Sequence, residues 1–321
     1  MGIAYIGKVT EIHQIENADR LESAVVVCGK GGKWWGVVLK NQFSVGDMVE
    51  VYLQDALLPH EERFAFMESR KWRVRIQTFR GARSECFIMP LLTRGDAGDE
   101  IACEKYEKTL PASMSKVVRG DFPTHLVPKT DELHFQKVKD VLNAMHGETV
   151  CVTQKCDGSS TTFYTYDEHF GVCSRNLELK YTEQNTQWQM ARKYNIEAAL
   201  RTLGFNAALQ VEAIGPGIQK NPMGIANSEI RAFDLYNIDE RRYMGQVDLT
   251  YFCDLHGIPK VRTLSVMALD SDEEKLLSLA GGWMYPNGKP QEGIVVRPML
   301  ENNLPDGQRY SFKVINPAYK D

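Results

Sequence analysis

The stretch KCDGSS, residues 155–160, decides how the chain folds and what it can do. It closes one β-rich run, TVCVTQK (149–155), and opens another, STTFYTY (160–166). Lys155 therefore stands at a strand end, and the Gly-Ser-Ser that follows leaves room for backbone to approach a phosphate. Four fragments recur downstream in order: SRN (174–176), VEAIG (211–215), EGIVVRP (292–298) and SFKVIN (311–316). Taken singly, each also reads as ordinary structure. Lys155 could be a solvated strand-end lysine with Asp157-Gly158 as a hairpin turn. Arg175-Asn176 and Glu292-Gly293 could likewise be turns, and Phe233 a core aromatic.

Outward from that stretch, residues 122–321 predict an α+β domain. Strands at 170–175, 209–214, 230–238, 293–298 and 310–315 mostly follow one another without a regular intervening helix, which predicts antiparallel pairing. A helix is expected over residues 131–146, with Thr130 as its cap, Leu133, Val138, Val141, Leu142 and Met145 on one face, and Gly147 as its stop. A second is expected over 183–203, and shorter ones over 247–255 and 272–280.

Residues 1–100 read differently. Short β-rich runs at 4–12, 24–28, 34–39, 47–53, 72–79 and 85–91 are broken at ENAD, GKGGK, SVGD and RGAR, which predicts a small barrel. The run RKWRVRIQTFRGAR (70–83) is basic. As a strand it would set Lys71, Arg73 and Arg75 on one face over apolar Trp72, Val74 and Ile76, a rail for a nucleic-acid backbone or simply a solvated face. Residues 101–121 have no clear period and read as a linker.

The net charge of −4 excludes a bulk electrostatic hold on a polyanion, so any nucleic acid must meet a local basic patch. Seven scattered cysteines without a Cys-x-x-Cys pair predict reduced thiols and no zinc site. No leader-like start and no apolar run of about 20 residues is visible, so an intracellular, soluble protein is expected.

The five fragments together resemble the covalent nucleotidyltransferase superfamily of polynucleotide ligases and mRNA-capping enzymes, over the whole of residues 122–321. The resemblance implies an antiparallel, ATP-grasp-like ligase domain in which Lys155 carries AMP. It implies that Glu292 serves Mg²⁺ or Mn²⁺, that Asp157 orders that metal or lies on the ribose side, that Arg175 and Lys313 meet phosphate, and that Gly158 lines the nucleotide site. Glu212 would bind the ribose or order the metal's water, Phe233 would stack on the purine, and Asn176 would support the nucleic-acid 5′ end. A lysine amine attacks only when neutral, so Lys313 and a metal are expected to disfavour its proton. Hard oxygen ligands suit such a metal. Many ligases carry Lys-x-Lys in the last motif, whereas Val314 and Ile315 follow Lys313 here; Lys289, Arg297 and Lys320 are candidate substitutes.

KVTEIHQIENADRLESAVV (8–26) and FSVGDMVEVYLQDALLP (43–59) resemble the tRNA-binding type of OB domain, with any small β-barrel as the alternative. An OB-like module in front, and only eight residues after Lys313, resemble the layout of RNA ligases with an N-terminal OB domain. The resemblance implies an ATP-dependent RNA ligase acting as a monomer on RNA 3′-OH and 5′-phosphate ends. A GTP-dependent capping enzyme and a non-catalytic OB-type RNA-binding protein are the alternatives.

Overall fold

The computed structural model describes residues 2–29, 32–107, 111, 114–305 and 307–319. The barrel expectation holds. Strands β1 (Ala4–Gln14), β2 (Leu21–Cys28), β3 (Gly32–Leu39), β4 (Met48–Leu53) and β5 (Cys86–Pro90) form one antiparallel sheet in the order β3-β2-β1-β4-β5. Its core is lined by Val9, Val26, Trp34, Val49, Val51, Leu53, Phe64 and Ile88.

The cationic rail does not form. Glu62–Arg70 is a 3₁₀ helix, and Lys71 and Trp72 both take left-handed backbone (φ 55° and 53°), which ends it and turns the chain. Strand resumes only at Gln77–Phe79. Lys71 and Arg75 are exposed on irregular backbone. Arg73 is ion-paired to Asp55 at 2.6 Å with its guanidinium 3.7 Å from the Tyr106 ring. The sequence alternation was real, but Trp72 stacks on His60 and Val74 is buried through local turns rather than through a pleat.

The second half is two facing antiparallel sheets. One runs β6-β10-β9-β8-β11-β12-β13, comprising Val118–Asp121 (β6), Ser159–Tyr166 (β8), His169–Ser174 (β9), Leu177–Leu179 (β10), Ala207–Ile214 (β11), Glu229–Asn237 (β12) and Arg242–Tyr243 (β13). The other runs β14-β7-β15-β16, from Thr263–Ala268 (β14), Thr149–Lys155 (β7), Gly293–Pro298 (β15) and Phe312–Ile315 (β16). Residues 118–121, read from sequence as linker, thus belong to the larger sheet.

Alternation along the strands separates core from cleft. On the smaller sheet Val150, Val152, Ile294, Val296, Phe312 and Val314 bury against α1 (Lys139–Met145) and α5 (Glu273–Gly281). On the larger sheet Leu209, Val211, Ile230, Ala232 and Leu235 bury against α2 (Thr186–Lys193), α3 (Ile196–Arg201) and α4 (Gln246–His256). The opposite face of the smaller sheet looks into the cleft, as does part of that of the larger sheet, where Tyr164, Cys173, Ala208 and Tyr236 instead bury with Phe122, Leu126 and Val127.

Two helix expectations are corrected. The helix over 183–203 is broken into α2 and α3 by the left-handed Asn195. That over 131–146 shrinks to one 3₁₀ turn at Phe135–Lys137 and the seven-residue α1. Thr130 caps nothing: its hydroxyl lies 2.5 Å from that of Ser160, and residues 130–132 line the cleft outside any helix or strand. No helix among the described residues is long and apolar enough to cross a membrane, and the seven cysteines are unpaired.

Candidate active site

Pairing register fixes the site. Lys155 pairs with Gly293, and Gly293 with Ile315; Thr153 pairs with Val295, and Val295 with Lys313. Lys155, Thr153, Val295, Arg297 and Lys313 therefore share the face opposite the buried one. They line a cleft of about 390 Å³ together with Asp157, Gly158, Glu212, Phe233, Glu292 and Arg175. Gly158 is required where β8 and β11 come together, because a Cβ there would lie 2.2 Å from the Ala213 carbonyl oxygen. Gly293 is in the same position against Val314 O, also at 2.2 Å.

Lys155 Nζ donates to Glu292 Oε1 at 2.5 Å. Glu292 Oε2 is buried and lacks a hydrogen-bond partner among the described residues. Burial holds the Glu292 carboxyl above its usual range against the opposing pull of Lys155. Glu212 is pushed further, to about 8, by burial and by the negative charges of Glu292 and Asp157, which outweigh Lys155 and a hydrogen bond from Gly158. Lys313 has no ion-pair partner among the described residues. Burial, then the neighbouring Lys155 charge, draws its ammonium below the ordinary lysine range. Two cations held close together, with under-satisfied carboxylates beside them, form a receptor for a polyphosphate and a hard cation.

No three-carboxylate or histidine–cysteine cluster that could hold a metal by itself occurs among the described residues. The donors nonetheless fit a divalent cation. The free Glu292 Oε2 and a Glu212 carboxyl that resists ionisation without a counter-charge leave coordination to be completed by phosphate and water, the usual manner for Mg²⁺.

Phe233 enters the cleft through a β-bulge. Val211 pairs with Ala232 and Gln210 with Asp234, leaving Phe233 as the extra residue of β12. Its ring is half-buried on the cleft wall, with the Arg297 guanidinium carbon 5.8 Å from its centroid. Arg175 is exposed and paired with Asp131 at 2.7 Å. Asn176 lies beside the cleft and accepts from Lys129 at 2.7 Å.

Of the candidates for the missing cation, Arg297 alone lines the cleft. Its Nη2 donates to Glu132 Oε1 (2.8 Å) and to Asp234 Oδ2 (3.1 Å), and Asp234 also receives both terminal nitrogens of Arg309, while Nε and Nη1 of Arg297 are buried without a hydrogen-bond partner among the described residues. Lys320 lies outside the described residues. Sequence reading missed residues 130–132 and Tyr319. Neither carried a local signal, since Thr130-Asp131-Glu132 reads equally well as a helix start.

The comparisons agree with this geometry. Residues 148–315 match the RNA ligase family model, and residues 3–91 match an OB-fold domain model. No curated protein matches the chain. Among solved structures, the Naegleria gruberi RNA ligase with PPi is 29% identical, with a TM-score of 0.58 over 99% of this chain and 98% of that one. A Lys→Ala variant of the same ligase with ATP and Mn is 28% identical, again with a TM-score of 0.58 and coverage of 99% and 98%. A Glu→Ala variant with AMP and Mn gives the same figures. With more than half of its length inside the family model, this chain belongs to the RNA ligase family and carries an OB-fold domain at its N-terminal end.

Proposed function

We propose that this ATP-dependent RNA ligase joins RNA 3′-OH and 5′-phosphate ends in three steps through Lys155. The Lys155 amine attacks the α-phosphorus of ATP, forming a lysyl-AMP bond and breaking the bond to pyrophosphate. An RNA 5′-phosphate oxygen then attacks the same phosphorus, freeing the lysine and leaving AMP on the RNA end. Finally an RNA 3′-OH attacks the activated 5′-phosphorus, forming the phosphodiester and releasing AMP. The observation that carries this reading is Lys155 held at 2.5 Å by Glu292, with Lys313, which has no ion-pair partner among the described residues, beside it and Phe233 on the cleft wall.

Each residue has a part. Glu292 Oε1 orients the amine and offers a place for its proton, since burial raises that carboxyl's proton affinity. Lys313 and Arg175 balance the charge on the phosphates, and Phe233 gives the adenine a stacking face. Glu292, Glu212 and Asp157, with phosphate and water completing the shell, would hold Mg²⁺ or Mn²⁺, which would neutralise charge developing on the α-phosphate. Asn176, beside Arg175, supports the RNA 5′ end. The residues that line the cleft all come from one chain, which fits action as a monomer.

The test is incubation with ATP labelled at the α-phosphate and Mg²⁺ or Mn²⁺, wild type beside Lys155→Ala, followed by denaturing electrophoresis. Label retained by the wild type and absent from the variant supports covalent adenylylation. Labelling by GTP in preference to ATP would point to capping chemistry. RNA binding without any label would point to a binding protein. Failure to join nicked or single-stranded RNA after labelling would overturn the choice of ends.

A further inference from the structure

After β16 the chain does not leave the site. The Asn316 side chain is buried; its Nδ2 donates to Gln291 O at 2.9 Å and its backbone N–H to Glu292 O at 2.9 Å. Its Oδ1 accepts from Ala318 N at 2.9 Å, and its carbonyl from Tyr319 N at 3.0 Å. This closes a tight turn anchored on Gln291 and Glu292, just ahead of β15. The turn delivers Tyr319 to Asp157, whose Oδ2 accepts a short hydrogen bond from the tyrosine hydroxyl. The Tyr319 ring packs beneath the KCDG segment, against the cluster of Cys156, Ile214, Met223, Val261 and Tyr285.

Asp157 needs such a contact. It lies in the short link between β7, in one sheet, and β8, in the other, so neither ladder fixes its side chain. It lines the cleft, whereas Tyr319 does not. The tyrosine therefore reaches the reaction only through the carboxylate.

We propose that residues 316–319 form a strap that fixes the Asp157 carboxylate for lysyl-AMP formation, with Tyr319 as the positioning residue. The inference rests on the role given to Asp157 above. With one oxygen tied to the strap, the other is left facing the cleft, and Glu292 and the Asp157 link are held in register by the same turn.

The experiment is single-turnover lysyl-AMP formation from α-labelled ATP with Mn²⁺ in the full chain, for wild type, Tyr319→Phe, Asp157→Ala and the double variant, with thermal unfolding of each. Tyr319→Phe keeps the ring and removes the donor. Loss of a hydrogen bond to a charged group predicts a rate at saturating ATP lower by about tenfold or more. The ATP concentration giving half-maximal rate should stay unchanged. In the Asp157→Ala background the same substitution should cost nothing further, in rate or in unfolding temperature. An equal loss in both backgrounds, a change confined to half-saturation, an unchanged rate or a faster one would each overturn the proposal. A wild type that forms no lysyl-AMP would instead overturn the reading of the whole site.

Discussion

Glu212 makes the resting enzyme less stable as the medium becomes more alkaline, and one substitution isolates the effect. Its carboxyl titrates at about 8 in the folded chain against 4.5 for an unperturbed glutamate. A raised carboxyl means that the native state holds a proton which the unfolded chain has already released. The contribution to stability is complete below about 4.5 and is lost as pH climbs towards 8. Between pH 6 and pH 8 this one group removes about 2 kcal/mol, reduced to about 1–2 kcal/mol because water reaches part of the half-buried side chain. For a chain of this size that is a fall of about 2–6 °C in Tm. Glu212→Gln keeps the shape and an acceptor for the Gly158 N–H but cannot ionise. Melting wild type and variant from pH 6 to pH 8.5, free of nucleotide and metal, should give a difference that widens in the variant's favour with pH. If the two lose stability in parallel, the burial of Glu212 is not what destabilises it. The same linkage predicts that Mn²⁺ raises the wild-type Tm more at pH 8 than at pH 6, because the cation competes with that proton.

Removing the Lys313 ammonium with Lys313→Ala should lower the rate of lysyl-AMP formation about 100-fold or more while the protein remains folded, as read by quenched single turnover. Phe233→Ala should raise the ATP concentration for half-maximal labelling about 10-fold or more, with Phe233→Leu in between, since stacking on an aromatic contributes about 1–3 kcal/mol. Arg73→Ala should leave RNA affinity and its salt dependence unchanged in a filter-binding titration but lower Tm, because that guanidinium is occupied by Asp55 and Tyr106. Asp234→Ala should cost about 3–5 kcal/mol by chemical denaturation, since it strips the shared anion from Arg297 and Arg309 in the protein interior.

Much of the site was legible because its chemistry is local in sequence. Lys155 and Lys313 sit in short strand motifs that pairing register carries to one face, and Asp157 and Glu292 flank those strands at the cleft. The barrel was legible from its strand and turn pattern. What failed depended on contacts that no local pattern encodes. The alternation at 71–76 fits a strand equally well, and only the two left-handed residues reveal that it is folded into turns. The helix expected from Thr130 has a good apolar face, but its first turn is claimed by the cleft: Asp131 pairs with Arg175, Glu132 with Arg297. Tyr319 meets Asp157 across 162 positions of sequence, a separation at which nothing in either segment names the other.

The bulge in β12 has a consequence for how that strand divides its labour. Before it, even-numbered Ile230 and Ala232 point into the helical core; after it, odd-numbered Leu235 does. The extra residue shifts the parity of the strand, so two consecutive side chains, Phe233 and Asp234, emerge on the same side. One is the apolar wall of the cleft and the other is the anion that gathers Arg297 and Arg309. Deleting a single residue there would restore a regular ladder and turn one of the pair into the helices. The cleft wall and the ionic scaffold behind it therefore depend on one phase slip, and a chain that lost it would have to give up one to keep the other.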